Sequence, residues 1–296
     1  MKKNVVQFAN DVLGINLYPA QAEALLAMAV YQLVALACGR RGGKSLLAAI
    51  WAVYDCTMRD LRKYQRKGET RYVLLVAASV PQARALFRTV ADMCKAPMVA
   101  PLVVGEPTND EIRLANNTVL RVVPCSSRSP RGLAASTVIF EELASYQDTN
   151  GYQSGDAVYR ALEPSVAQFK EHGRIIALSS PRGQRGTFYN LHERAKASEV
   201  GFAMNLSTWE LNPSIDRASL ARIEDEDPDL FAQEYRASFT AIGGSFFDSG
   251  KLAEATRPLP EHEHGTRVLG LDPAFDGDNF GLAIACVPAD DESLVY

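Results

Sequence analysis

An α/β fold with a mainly parallel central sheet covered by helices is what the sequence predicts, and three observations predict it. Short apolar runs, of the kind buried on both faces of a sheet, alternate with helical patterns through about the first two hundred residues. One run leads straight into a glycine-rich loop that opens a helix. Another ends on two adjacent carboxylates, Glu141 and Glu142.

Taken in order, Gln32–Cys38, Tyr72–Ala78, Thr137–Phe140 and Arg174–Ser179 read as buried strands. Helices are expected over Pro19–Tyr31, Lys44–Arg59, Pro81–Cys94, Asp156–Phe169 and Thr187–Ser198. Glu111–Ala115 and Thr118–Val123 flank Asn116-Asn117, a pair that tolerates the positive φ of a tight turn, so an inserted hairpin is expected there. After about residue 208 the pattern changes to short helical pieces with an acidic run, Glu224 to Asp229, and a loop-like Ile242-Gly243-Gly244-Ser245. Arg267–Asp272 and Phe280–Val287 then read as two strands around an Asp/Gly/Asn turn, with a third starting at Ser293. The expected organisation is a core over 1–208, a lid or linker subdomain over 209–262, and the first strands of a further domain over 263–296.

Composition bounds the function classes. With 296 residues, 47% of them hydrophobic and 22% charged, the chain is an ordinary globular protein with length for one large or two modest domains. Five scattered cysteines without a CxxC pair argue against a disulfide framework or a structural zinc site and fit a reducing cytoplasm. No signal peptide or membrane span is expected: residues 4–16 lack an apolar core, and Leu25 to Cys38 is too short and is interrupted by Gln32. A net charge of −4 means that a nucleic acid would have to be engaged by local basic patches. Six Lys/Arg against two acids between Arg59 and Arg71 make such a patch, either a track for DNA phosphates or a solvated loop.

The sharpest chemistry lies in Cys38-Gly39-Arg40-Arg41-Gly42-Gly43-Lys44-Ser45, between a buried strand and a helix. This is the setting of a phosphate-binding P-loop. Glycines let backbone N–H groups curl around phosphates, Lys44 reaches the β/γ-phosphates, the Ser45 hydroxyl ligates Mg²⁺, and the helix N-terminus adds its dipole. The pattern departs from GxxxxGK[ST] in its first position, occupied by Cys38. Thr137-Val138-Ile139-Phe140-Glu141-Glu142 supplies the carboxylates: Glu141 to hold Mg²⁺ and Glu142 to orient or deprotonate the attacking water. Gln21, in Tyr18-Pro19-Ala20-Gln21, has the amide that suits an adenine edge, or is an exposed glutamine on a helix. Ser179-Ser180-Pro181 ends another strand and would stand beside the γ-phosphate if that strand neighbours the Glu141 strand.

Together, Tyr18-Pro19-x-Gln21, Gly39-Arg40-Arg41-x-Gly43-Lys44-Ser45, Arg131-Gly132-Leu133 ahead of Ile139-Phe140-Glu141-Glu142, Ser179-Ser180-Pro181 and Gly270-Leu271-Asp272-Pro273 resemble the large terminase subunit of tailed bacteriophages. The resemblance implies an ASCE-type P-loop ATPase domain that drives double-stranded DNA into a procapsid, followed by an RNase H-like nuclease. It implies ATP and Mg²⁺ as cofactors, a homo-oligomeric (pentameric) ring, portal and small-terminase partners, and the host cell cytoplasm as location. Arg40 would touch the phosphates or position Glu142, and Ser179 and Ser180 would couple hydrolysis to movement. Arg131, with Arg128 as the competing candidate, would reach the neighbouring subunit's ATP. Asp272 matches the first metal-binding aspartate of the nuclease, whose other carboxylates would lie beyond residue 296, so no nuclease activity is expected of these residues alone. Two alternatives share part of the motif set: a superfamily helicase, and a degenerate P-loop scaffold that binds DNA without turnover.

Overall fold

A computed structural model describes residues 3–125, 132–146 and 155–240, and the backbone of 265–272 and 281–288. Contacts gather Met1–Gly243 into one compact unit and Gly244–Tyr296 into a second.

The first unit is built on a seven-stranded sheet in the order β3-β4-β2-β5-β6-β1-β7. Its strands are β1 (Leu33–Cys38), β2 (Arg71–Ala77), β3 (Glu111–Leu114), β4 (Thr118–Pro124), β5 (Ala135–Glu141), β6 (Arg174–Ser179) and β7 (Gly201–Leu206). All neighbours run parallel except β3, which turns back on β4 through Asn117 at φ 60°. The expected hairpin therefore forms the sheet edge. Val34, Leu36 and Cys38 of β1 face one apolar core, while Leu33, Ala35 and Ala37 face the other. That alternation, repeated by Val73 and Leu75 against Leu74 and Val76 in β2, is why these runs are apolar throughout: helices cover both faces.

One face carries α1 (Val5–Asp11), α2 (Pro19–Val30), α3 (Lys44–Met58) and α4 (Val80–Met93); the other carries α5 (Gly155–Leu162) and α6 (Gly186–Ala197). Short helices α7 (Thr208–Leu211), α8 (Ala221–Glu226) and α9 (Pro228–Glu234) follow β7 and belong to the same unit. Pro19 opens α2 at a position where a missing N–H costs nothing, and Ser79 caps α4 by accepting from the Gln82 N–H.

Three differences from expectation have local causes. The helix expected to run to Phe169 stops at Leu162, because Pro164 has no N–H to continue it; 3₁₀ turns over Glu163–His172 follow, with Lys170 at φ 49°. Strand β7, Gly-Phe-Ala-Met-Asn-Leu, has no β-branched residue to announce it and is held by pairing with β1. Helix α1 is short and begins with a reciprocal cap between Asn4 and Gln7.

In the second unit β8 (Gly265–Asp272) pairs antiparallel with β9 (Gly281–Pro288), placing Asp272 opposite Gly281 at the strand end. Arg128, Arg131 and the third strand expected from Ser293 lie outside the described residues.

Candidate active site

The parallel strands β5, β6 and β1 lie side by side, so the segments following their carboxyl ends meet. This is the edge at which open α/β sheets bind ligands. It gathers Glu141 and Glu142 from β5, Ser179 and Ser180 from β6, and the loop 39–43 from β1.

The loop owes its shape to two left-handed residues, Arg41 at φ 59° and Gly43 at φ 97°, the second immediately before α3. The first turn of α3 leaves backbone N–H groups without intrahelical acceptors and carries the positive end of the helix dipole. Gly39 is glycine for a different reason. A Cβ there would come within 2.5 Å of the Thr208 nitrogen and 2.7 Å of the Tyr235 carbonyl oxygen. Cys38 closes β1 with its side chain in the apolar core, where burial pushes the thiol up to about 12. Its φ lies outside the positive range, so a glycine is not required at this first motif position.

Lys44, 8% exposed, reaches Glu142 Oε1 at 2.8 Å and donates to Ser180 Oγ at 3.3 Å. Ser180 Oγ in turn donates to the Cys38 carbonyl at 3.0 Å. The Ser45 hydroxyl donates to Glu141 Oε1. Burial pushes the Glu141 carboxyl above the usual range, offset only in part by Ser45. Glu142 adopts φ 58° and ψ 38°, a left-handed conformation in which its N–H donates to the Leu178 carbonyl at 2.7 Å and its carboxylate turns toward Lys44. Such a strained non-glycine residue is expected where geometry serves a site. Ser179 Oγ stands 3.4 Å from Glu142 Oε2 and accepts from the Ala144 N–H at 3.1 Å. A hydroxyl and a carboxylate oxygen brought together this way fit a hard cation such as Mg²⁺, which takes few protein ligands and completes its shell with phosphate and water. Among the described residues no group of three or more His, Cys, Asp or Glu could hold a metal ion.

Two sequence-marked residues have partners that the sequence does not suggest. Gln21 is buried, accepting from the Tyr18 N–H at 3.2 Å and donating to the Gly42 carbonyl at 3.2 Å, so its amide fastens the loop to α2. Arg40 makes a two-pronged pair with Glu234 of α9, Nε to Oε2 at 2.7 Å and Nη2 to Oε1 at 3.1 Å, which raises the Arg40 pKa.

Sequence reasoning missed the segment that grips the loop from outside. Thr208 Oγ1 donates to the Arg40 carbonyl at 2.8 Å, Asn212 Nδ2 donates to the Arg41 carbonyl at 3.2 Å, and the Arg40 N–H donates to the Glu234 carbonyl at 2.6 Å. The one local signal was the capping box of α7, in which the Glu210 carboxylate accepts from the Ser207 N–H at 2.7 Å and the Ser207 side chain faces the backbone N–H of Glu210. The basic run from Arg59 to Arg71 lies at the opposite edge of the sheet. There Arg59 and Arg71 pair with Asp55, and Arg62 pairs with Asp60.

The family described as "Uncharacterized protein MJ0330, N-terminal P-loop domain" matches residues 1–237. The chain belongs to this P-loop domain family. The match spans every element of the P-loop domain gathered above, from Gln21 to Glu234. No curated protein matches the chain. Among solved structures, the ATPase domain of the Thermus phage P74-26 large terminase superposes with a TM-score of 0.60 at 19% identity, covering 78% of this chain and 97% of that one. The large terminase of bacteriophage HK97 gives 0.67 at 18% identity, covering 98% and 66%. The large terminase of a thermophilic bacteriophage in complex with ADP gives 0.58 at 11%, covering 90% and 64%. The P-loop domain thus has the fold of phage large terminase ATPase domains, and the chain spans about two thirds of the two longer terminases. No helix among the described residues is long and apolar enough to cross a membrane.

Proposed function

We propose that this chain is the ATP-hydrolysing motor portion of a large terminase, a subunit that moves double-stranded DNA into a procapsid. The observation that carries the reading is the convergence of Lys44 and Ser45, in the first turn of α3, with Glu142 and Glu141 at the end of β5, Lys44 pairing with Glu142 and Ser45 with Glu141. Loop 39–43 and the first turn of α3 bind the phosphates, with Arg40 and Arg41 adding charge. Ser45 and Glu141 hold Mg²⁺, which when bound neutralises charge developing on the phosphates. Glu142 takes the proton from the attacking water as ATP becomes ADP and phosphate. Lys44 aims the Glu142 carboxylate, and Ser179 and Ser180 register which partner Lys44 and Glu142 face, the connection a coupling segment needs. Gln21 keeps the loop seated through its bonds to Tyr18 and Gly42.

Arg131, with Arg128 the alternative, completes the neighbouring subunit's site in a homo-oligomeric ring; the portal and small terminase subunit are the partners of such a ring, in the host cytoplasm. Core, lid and nuclease-start boundaries at 208 and 262, and a metal-ligand role for Asp272, belong to the same proposal. Similarity in fold to a large terminase ATPase domain and to a large terminase in complex with ADP supports it.

The test is ATP hydrolysis against protein concentration for wild type, Glu142→Ala and Arg131→Ala. Turnover should rise more than linearly with concentration, and Arg131→Ala should lower it about 10³–10⁵-fold. Hydrolysis indifferent to Glu142→Ala sinks the catalytic assignment. Full activity of Arg131→Ala in the assembled ring sinks the role in trans, and strand separation without duplex movement points to a helicase.

A further inference from the structure

The segment after β6 runs Pro181-Arg182-Gly183-Gln184-Arg185-Gly186 and joins the site to α6. Two residues before Arg182, Ser180 accepts from Lys44 at 3.3 Å and donates to the Cys38 carbonyl at 3.0 Å. Toward the other end Gln184 Nε2 donates to the Phe239 carbonyl at 3.2 Å, and the Phe239 ring packs on Phe188 and Tyr189 of α6 at centroid separations of 5.7 and 5.2 Å. Left-handed turns at Gly183 (φ 70°) and Gly186 (φ 84°) set the course between. A Cβ at Gly186 would meet nothing, so the backbone turn alone accounts for glycine there. Pro181 and Gly183 are buried, whereas Arg182 and Arg185 are exposed, and neither guanidinium forms an ion pair or a hydrogen bond among the described residues. The basic run expected to meet DNA differs, since Arg59, Arg62 and Arg71 are neutralised by Asp55 and Asp60 at the far edge of the sheet. Two arginines left unpaired on a braced loop can meet phosphate oxygens without first breaking a salt bridge.

We infer that Arg182 and Arg185 grip the phosphate backbone of duplex DNA, so that the loop reached by the P-loop lysine also holds the polymer being moved. This rests on the DNA-motor reading proposed above. Phosphate contacts need charge and not base sequence, which suits a motor that must accept any sequence. Because Ser180 faces Lys44 and lies two residues from Arg182, a change in what Lys44 faces displaces the grip. Phosphate oxygens of a bound nucleotide have the same chemistry, and the test separates the two sources.

Fluorescence anisotropy of a short labelled duplex titrated with the full chain at several salt concentrations is paired with calorimetric titration of ATP and Mg²⁺. Both are run on wild type, the double variant Arg182→Ala/Arg185→Ala and the double variant Arg66→Ala/Lys67→Ala. The last removes the same charge from exposed positions at the opposite edge. Arg182→Ala/Arg185→Ala should weaken duplex binding about 3- to 30-fold at low salt, flatten the slope of log K against log salt by about 2, and leave ATP affinity unchanged. Arg66→Ala/Lys67→Ala should change neither. Equal losses of duplex binding in the two double variants overturn the inference, as does a loss of ATP affinity in place of duplex affinity, which would make the arginines nucleotide ligands. A wild type that takes up ATP but no duplex overturns the motor reading with it. Duplex binding that ignores Arg182→Ala/Arg185→Ala overturns only the role of this loop.

Discussion

At the amino-terminal edge of the sheet Asp55 is fully enclosed in the last turns of α3, facing Arg71 at 2.7 Å, Arg59 at 2.9 Å and the hydroxyls of Ser136 and Thr137. Arg71 is equally enclosed and also donates to Thr118 and to the Asp55 and Cys56 carbonyls. Nearby Arg174 donates to four backbone carbonyls, and burial lowers it to about 10. At the carboxyl-terminal edge Glu141 and Lys44 are also buried and Glu142 is partly exposed, but each carboxylate has few partners and one sits on a strained backbone. The titration shifts follow. Burial alone pushes Asp55 up, but Arg59, Arg71 and the two hydroxyls more than offset it and hold the carboxyl below its ordinary 3.8. Burial pushes Glu141 up, and the Ser45 hydroxyl and nearby Lys44, opposed by the like charge of Glu142, do not bring it back to its ordinary value. One edge is closed by saturated charges and stabilises the fold. The other is left short of positive charge, the condition that favours recruiting a cation and its phosphates.

Substitutions at the two edges should therefore separate stability from activity. The widest separation is expected between Glu142→Gln and Asp55→Ala. The first should lower ATP turnover about 10²–10⁴-fold while changing unfolding free energy by about 1 kcal/mol or less. The second should cost about 3–5 kcal/mol by stranding Arg71 in the interior. Denaturant titration and steady-state hydrolysis on both variants check this, and equal losses of stability would erase the contrast.

Gly39→Ala comes next, at about 1–3 kcal/mol, since the added methyl meets backbone atoms of Thr208 and Tyr235 rather than flexible side-chain ends. Its denaturation midpoint should fall together with nucleotide affinity. A variant as stable as wild type would mean that the outer segment yields easily.

Acid sharpens the comparison further. Because the folded-state pKa of Asp55 is depressed, its contribution is fully present above the unfolded value and disappears as pH falls through the folded one. The stability gap between wild type and Asp55→Asn should thus narrow progressively below about pH 4 in denaturation curves.

The smallest effect has the opposite sign. Glu141 has a raised folded pKa, so stability falls as pH rises from the unfolded value through the folded one, and the ionised form remains a liability at neutral pH. Glu141→Gln should raise the melting temperature slightly at pH 7 in the absence of nucleotide. A lower melting temperature would show that the Ser45 contact outweighs the buried charge.

The sheet was legible because residues buried on both faces must be apolar at every position, as Leu33–Cys38 and Arg174–Ser179 largely are. Strand β7 was not, since pairing with β1 alone makes Gly201–Leu206 extended. The break at Pro164 was written in the chain, but the helical pattern around it obscured it. In the site, Glu141 and Glu142 were legible from their position at a strand end, and Lys44 and Ser45 from the glycine-rich loop and helix start that follow another. Glu234 and Thr208 carried no comparable mark.

What the sequence determined by itself is what a few consecutive residues can specify: the P-loop, whose glycines, lysine and serine act within one turn of backbone, and the apolar strands that place it. Tertiary structure alone decided which charges are saturated and which are left short. Asp55 and Glu141 are both buried carboxylates, and only the strands and helices that converge on each give the first two arginines and the second one hydroxyl. The pairing of Arg40 with Glu234 spans 194 positions, a distance over which no local preference acts and only the packed fold can choose partners.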